Sequence, residues 1–285
     1  MRSTHIVVTA LAALSVSAVA AGAAEPASKT KTPNLPPSET TAKAALDQSP
    51  RHGEYVQIQS QSVGTPLRAW VSYPEVKDKA GVVLVIHEIF GLSDWVRGVA
   101  DAFAAEGFIA VVPDLISGLG PGGGGTDSVA SRDDVVKLVF ALKPEDVKAR
   151  LDAARDYAVH LPAANGKVAT VGFCWGGGQS FRYAASDPAI QGAVVYYGTS
   201  PDSTTLASVR APVLGLYGGD DARVTATIEP ARIVMKELGK SYDPHVFAGA
   251  GHGFLRAQEE RNGANLAAAR KAWPLTIGFL DRHLK

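Results

Sequence analysis

The single cysteine of this 285-residue sequence lies in a pattern typical of catalytic nucleophiles. Residues 172–176 read Gly-Phe-Cys-Trp-Gly, which fits the pattern Gly-x-nucleophile-x-Gly. The pattern predicts a tight turn between a strand and a helix, with glycines where the two backbones approach closely. At the helix N-terminus the thiolate form of Cys174 would be favoured, and the N–H of Trp175 would face the oxyanion of a tetrahedral intermediate. The alternative is a buried structural cysteine.

Two further residue types of a catalytic triad follow later in the chain, in the order acid and then histidine. His252 lies between two glycines in a loop that follows an apolar segment, as suits a base that must reach the thiol. Asp220 and Asp221 both follow another apolar segment. We favour Asp221, because residues 221–224 resemble the Asp-x-x-Val acid loop of many hydrolases. Asp220 is the alternative acid, and the unchosen aspartate would be a turn residue or a helix cap.

Apolar segments of strand length alternate with helical periodicity along the chain, after an opening antiparallel hairpin. The predicted hairpin strands are 54–59 and 66–73, and the later predicted strands are 81–86, 108–112, 168–172, 193–197, 212–217 and 243–247. The predicted helices are 94–106, 144–161, 177–185, 226–238 and 259–283, the last interrupted at Pro274. This order predicts an α/β fold with a mostly parallel central sheet and helices on both faces.

The N-terminal region predicts export. Residues 1–24 combine a short positive start, an apolar stretch and small residues suited to signal peptidase, so we expect a cleaved signal peptide and a periplasmic or secreted protein. An uncleaved anchor is the alternative. Residues 25–50 are rich in Ser, Thr, Pro and Lys and predict a disordered linker. Residues 51–285 form one predicted domain.

Composition disfavours several classes of partner. The sequence has 28 Lys+Arg and 28 Asp+Glu residues, so a zero net charge gives no indication of nucleic-acid binding. The glycine-rich stretch 118–125 lacks the Gly-Lys-Ser/Thr ending of a phosphate-binding loop, and we expect a flexible loop near the site instead. We expect a monomer that acts on a small molecule without metal or organic cofactor, and that leaves the membrane once its signal is cleaved.

Taken together, the motifs resemble those of the dienelactone hydrolase family. The resemblance extends over residues 55–285. Its most specific parts are His87–Gly91, Pro113–Leu115, Gly172–Gly177, Asp221 and Gly251–Phe254. It implies an α/β-hydrolase fold and the hydrolysis of lactones and related esters, with a Cys174–His252–Asp221 triad and a thioester intermediate.

The same resemblance implies three further roles. Glu88 would lie close to Cys174 and help switch it between thiol and thiolate, Ile89 would supply the second oxyanion N–H, and Arg256 would bind a substrate carboxylate. The alternatives are a local backbone bond for Glu88 and a surface salt bridge for Arg256. The loop 116–122 lacks the tyrosine and second arginine of well-known members. This departure favours a neutral or differently shaped ester over the anionic dienelactone.

Two other functions remain open at this point. The same frame could support a thioesterase, a small peptidase or another acyl hydrolase. It could also support a non-catalytic periplasmic protein that binds a ligand or senses oxidants through Cys174. The presence of every triad residue favours an enzyme.

Overall fold

The computed structural model of this protein describes residues 33–285, together with Met1 and His5. Within 33–285 the strands are β1 Gly53–Ile58, β2 Leu67–Ser72, β3 Ala80–Ile86, β4 Ile109–Pro113, β5 Ala164–Phe173, β6 Gly192–Tyr196, β7 Val213–Gly218 and β8 Tyr242–Phe247. The helices are α1 Ala42–Asp47, α2 Asp94–Ala105, α3 Arg132–Ala141, α4 Pro144–Val159, α5 Trp175–Ser186, α6 Ser203–Ser208, α7 Ala222–Thr225, α8 Ile228–Glu237 and α9 Ala264–Leu284.

The strands form one eight-stranded sheet in the order β1-β2-β4-β3-β5-β6-β7-β8. β2 runs antiparallel to both β1 and β4, and every other neighbouring pair is parallel. The predicted opening hairpin and the predicted mostly parallel sheet are therefore both confirmed. All seven residues of β3 are buried, as expected for a central strand covered on both faces.

Helices cover both faces of the sheet, as predicted. Alternate residues of β3 point to opposite sides, so Leu84 belongs to one apolar cluster and Val85 to the other. The Leu84 side packs against α4, α5, α6 and α8, and the Val85 side packs against α2 and α9. The parallel strands end at one edge, so the loops that follow β3, β5, β6, β7 and β8 meet there.

The structure differs from the predicted linker over residues 33–50, because residues 33–47 pack on the domain as a segment that we call the N-terminal strap. Ala42 is fully buried at the start of α1. The Pro37 carbonyl accepts a hydrogen bond of 3.1 Å from the Trp95 indole N–H. The proline ring and Ala42 both lie against the bare backbone of Gly98 in α2. Contacts supplied by α2 thus order a segment whose own composition is polar and proline-rich.

Other parts of the N-terminal predictions lie outside the described residues. These are residues 25–32 of the linker and, apart from Met1 and His5, the signal peptide 1–24. Among the residues that the structure describes, no helix has the length and apolar character to cross a bilayer.

Several further elements depart from the predictions. The last helix begins at Ala264 and continues through Pro274 without a break. The helices α3, α6 and α7 were not predicted. The glycine-rich loop is closed by hydrogen bonds, since the Gly118 N–H donates to the Gly124 carbonyl at 2.9 Å and the Asp114 carboxylate accepts from the Thr126 N–H at 2.7 Å.

Candidate active site

The candidate nucleophile lies on a turn that only glycines could flank. Cys174 joins β5 to α5 with φ 55° and ψ −119°, a conformation that side-chain-bearing residues rarely adopt. A Cβ on Gly172 would lie 2.0 Å from the Gly176 carbonyl oxygen, and one on Gly176 would lie 2.3 Å from the His87 carbonyl oxygen. The Cys174 N–H donates to the Tyr196 carbonyl at 3.0 Å. These contacts fix the turn from which the thiol projects.

The structure brings the three predicted triad residues together. His252 Nε2 lies 3.0 Å from Cys174 Sγ, and His252 Nδ1 lies 2.5 Å from Asp221 Oδ2. Because a carboxylate only accepts, Nδ1–H donates to Asp221 and Nε2 is left to face the thiol. Asp221 is buried, whereas Asp220 lies at the surface 3.2 Å from Arg261. Of the two candidate aspartates, therefore, only Asp221 contacts the histidine.

The resting thiol is harder to ionise than the sequence led us to expect. Burial raises the pKa of Cys174 to about 12, and the negative charge of Glu88 acts in the same direction. The Trp175 N–H at the start of α5 and two arginines, Arg223 and Arg256, oppose this rise. The expected effect of the helix N-terminus is present, but desolvation outweighs it. Burial therefore favours the neutral thiol at rest.

Glu88 acts on the thiol through its charge, but its hydrogen bond goes to an arginine. Its carboxylate is buried, and Oε2 accepts from Arg256 Nε at 2.7 Å. Among the described residues, the other oxygen, Oε1, has no hydrogen-bond partner. Burial raises the pKa of Glu88, and the charge of Arg256 acts against that rise. Glu88 therefore acts on Cys174 through its charge, while its carboxylate is bonded to an arginine.

Arg256, implied by the family resemblance to bind substrate, is bonded to two carboxylates of the chain itself. Its Nε donates to Glu88, and its Nη1 donates to Glu39 of the N-terminal strap. Burial disfavours the charged guanidinium, but Glu88 and Glu39 outweigh that effect and raise the pKa of Arg256. Its resting state is a charged side chain between two acids.

The two expected oxyanion donors lie on adjoining backbone. The Trp175 N–H is in the first turn of α5, where no acceptor exists within the helix. Ile89 follows β3 in the loop whose His87 carbonyl touches Gly176. His87 itself holds this loop, because its Nδ1–H donates to the Glu88 carbonyl at 2.6 Å and its Nε2 accepts from the Leu115 N–H at 3.2 Å. Burial lowers the pKa of His87, consistent with this neutral tautomer.

Tyr197 is a residue of this region that sequence reasoning missed. It follows β6 with φ 39°, is fully buried, and its ring centroid lies 5.2 Å from that of His252. Burial, followed by the charge of Glu88, raises its pKa well above the ordinary value. Its position at the end of a central strand was the available signal, but that signal was not specific enough to select it.

The strained nucleophile turn, with an aspartate and a histidine at the ends of later strands of a mostly parallel sheet, defines the class as an α/β-hydrolase. Residues 67–284 match the model of the Dienelactone hydrolase family. The chain belongs to that family and is a hydrolase. The resemblance read from the sequence is confirmed.

Individual relatives agree with this family. The chain is 34% identical over 222 residues to a carboxymethylenebutenolidase of Pseudomonas putida, covering 75% of this chain and 91% of that protein. A crystal structure of a provisionally assigned dienelactone hydrolase from Klebsiella pneumoniae has a TM-score of 0.71 at 26% identity, covering 81% of this chain and 98% of that one. A dienelactone hydrolase structure from Anabaena variabilis has a TM-score of 0.63 at 24% identity, covering 82% and 99%.

Proposed function

We propose that this protein hydrolyses carboxylic esters or lactones with Cys174 as nucleophile, His252 as base and Asp221 as the residue that orients the base. The observation that carries the proposal is the continuous contact from Asp221 Oδ2 to His252 at 2.5 Å and from His252 to Cys174 Sγ at 3.0 Å. Separations of this size allow a proton to pass from sulfur to imidazole during attack.

Acylation begins from the neutral thiol. As Sγ attacks the substrate carbonyl carbon, its proton moves to His252 Nε2, and Asp221 stabilises the resulting imidazolium. The N–H groups of Trp175 and Ile89 would donate to the oxyanion, each worth roughly 10²–10³ in rate. When the tetrahedral intermediate collapses, the C–O bond breaks and the imidazolium proton passes to the leaving oxygen. The product of this half-reaction is a thioester on Cys174.

Deacylation reverses the roles. A water molecule gives a proton to His252 Nε2 as its oxygen attacks the thioester carbonyl. The C–S bond then breaks, the sulfur recovers the proton from the imidazolium, and the acid leaves. No step requires a metal ion or an organic cofactor.

Ionisation of the thiol would depend on substrate arrival. With the pKa of Cys174 raised to about 12 by burial and by Glu88, the nucleophile is protonated at rest. A substrate that displaces the Glu88 carboxylate from the vicinity of the thiol, or neutralises its charge, lowers the cost of forming the thiolate. This couples attack to an occupied site.

A substrate panel tests the proposal. The full chain is assayed with a lactone, an aryl ester, a thioester and a peptide, alongside Cys174→Ala and Cys174→Ser. We expect turnover of the ester or lactone that Cys174→Ala abolishes. Turnover of peptides alone, or of thioesters alone, would replace the proposed activity with another acyl-transfer reaction on this fold. Hydrolysis that survives in Cys174→Ala would refute the nucleophile.

We also propose that residues 1–24 direct export, from their positive start, apolar stretch and small residues near position 24. Fractionation of cells that produce the full chain, with N-terminal sequencing of the exported product, tests this. A product in the cytoplasm that retains Met1 would overturn it.

A further inference from the structure

Four charged side chains form a continuous row beside the candidate nucleophile. Arg132, at the start of α3, lies 2.8 Å from a carboxylate oxygen of Glu39. The other oxygen of Glu39 accepts from Arg256, and Arg256 in turn donates to Glu88. Both guanidinium groups lie over the ring of Phe90, at 3.5 Å for Arg132 and 5.2 Å for Arg256. The structure thus supplies a second arginine near Arg256 that the loop 116–122 lacks.

Hydrogen bonds of the backbone hold Glu39 and the strap residues before it against the domain. The Glu39 N–H donates to the Arg256 carbonyl at 2.9 Å. Just before it in the chain, the Pro36 carbonyl accepts from Gln258 at 3.0 Å and the Pro37 carbonyl accepts from Trp95 at 3.1 Å. The strap lies outside residues 67–284, the part of the chain that matches the family.

Two guanidinium groups around one carboxylate make the arrangement that would bind an anionic substrate. In this protein the Glu39 carboxylate occupies the position between the two guanidinium groups. A carboxylate on an incoming substrate would have to displace Glu39 or lie next to its negative charge, and either costs binding free energy. An uncharged substrate meets no such penalty.

We propose that Glu39 is a specificity-determining residue, which occupies the anion position of Arg256 and Arg132 and restricts the site to esters that carry no carboxylate near the scissile bond. This inference rests on the proposed function. It assigns a substrate class to the site, uncharged esters or lactones, and a role in recognition to the strap.

The test compares Glu39→Gln with the wild-type full chain on two esters that share a leaving group. One is 4-nitrophenyl butyrate, which is neutral, and the other is the 4-nitrophenyl monoester of succinate, which carries a carboxylate. Glu39→Gln keeps the side-chain shape and removes the charge. We expect kcat/KM for the anionic ester to rise about tenfold relative to the neutral one, mainly through KM. The neutral ester serves as the internal reference, so a general effect of the substitution cancels from the ratio of the two kcat/KM values.

Asp47→Asn is the matched control. Asp47 lies on the same strap but pairs with Lys43, so its substitution changes the net charge equally without touching either arginine. We expect the ratio of the two kcat/KM values to stay at the wild-type level. In the double variant Glu39→Gln with Arg132→Gln, we expect most of the gain on the anionic ester to disappear, because one of its two guanidinium partners is gone.

An unchanged ratio in Glu39→Gln, or an equal gain on both esters, would overturn the proposal. Circular dichroism and Glu39→Ser together guard against a folding artefact, because Glu39→Ser has the same expected ratio.

A calorimetric titration with succinate separates this proposal from the proposed function. If neither ester is turned over by the wild type, the hydrolase proposal fails, whereas about tenfold tighter succinate binding by Glu39→Gln would still support the role of Glu39. Equal succinate affinities would reject it.

Discussion

Around Cys174 the backbone leaves no room for adjustment, whereas around Arg256 the contacts are made by the ends of long charged side chains. Gly172 and Gly176 lie against carbonyl oxygens at distances that would not accommodate a Cβ. Glu39, Arg132 and Arg256 instead meet through the charged ends of their side chains, and the contacts among these side chains do not require a bare backbone. The position of Cys174 is therefore fixed by packing of the backbone, whereas the charged row is held together by ion pairs between side chains.

This difference teaches where change is tolerated in such a site. Catalytic geometry requires positions held to within a fraction of an ångström, and rigid strand-to-helix turns provide that precision. Recognition of a substrate group requires only a side chain of suitable charge and length, and a surface segment can add or remove such a side chain. If this division is correct, substitutions on the two sides should differ in what they change.

The largest expected effect is at the nucleophile itself. Cys174→Ala should lower kcat/KM for the ester substrate by at least about 10⁴, because the proposed thioester intermediate requires its sulfur. The fold should be retained, since the change removes one partly buried sulfur, and thermal unfolding checks this. A folded Cys174→Ala enzyme within tenfold of wild-type activity would place the chemistry elsewhere.

The two neighbouring aspartates offer a matched pair. Asp221→Asn should lower kcat by roughly 10²–10⁴, because an amide no longer stabilises the imidazolium or fixes its tautomer. Asp220→Asn should stay within about twofold of wild type, because Asp220 contacts a surface arginine. Steady-state kinetics on one ester measure both. Equal losses in the two variants would contradict the assignment of Asp221.

Substitution of two nearby glycines, Gly176 and Gly178, should have different effects on the free energy of unfolding. Gly176→Ala should lower the free energy of unfolding by about 2–4 kcal/mol, because its Cβ would lie 2.3 Å from the His87 carbonyl oxygen. Gly178→Ala should change it by less than about 1 kcal/mol, since its Cβ would make an ordinary contact of 3.4 Å. Urea unfolding measures both variants. Equal stability of the two would show that the turn is more adaptable than its contacts indicate.

The smallest effect concerns the charged row. The charge of Glu88 helps to raise the pKa of Cys174, so Glu88→Gln should lower that pKa. At pH values below the pKa, the thiolate fraction then increases, and alkylation by iodoacetamide should be about three- to tenfold faster at pH 9. Glu106→Gln, a change remote from the thiol, is the control. Slower alkylation in Glu88→Gln would show that the charge of Glu88 lowers the pKa of Cys174 rather than raising it.

Local patterns explain what the sequence predicted well. Apolar segments of strand length locate the sheet, and the glycines around Cys174 and His252 have steric causes that act within a few residues. Asp221 was favoured over Asp220 on a four-residue pattern, and the structure places Asp221 on the histidine. The sign of the thiol pKa shift was missed, because burial of a side chain depends on the whole fold.

Long-range contacts explain what the sequence did not reveal. Glu39 and Arg256 are separated by 217 positions, and no periodicity connects them. The strap was assigned to a linker because its order comes from α2 rather than from its own residues. The break expected at Pro274 does not occur, since the buried Trp273 and Ile277 on either side anchor α9 to the sheet and offset the roughly 3 kcal/mol cost of an internal proline.

The raised pKa of the sulfur has a consequence for the enzyme's durability. Burial raises the pKa of Cys174 to about 12, which favours the neutral thiol between turnovers. Peroxide and disulfides react with the anion and hardly at all with the neutral group. Burial would therefore make the only sulfhydryl of the chain a poor target for oxidants between turnovers of the proposed reaction.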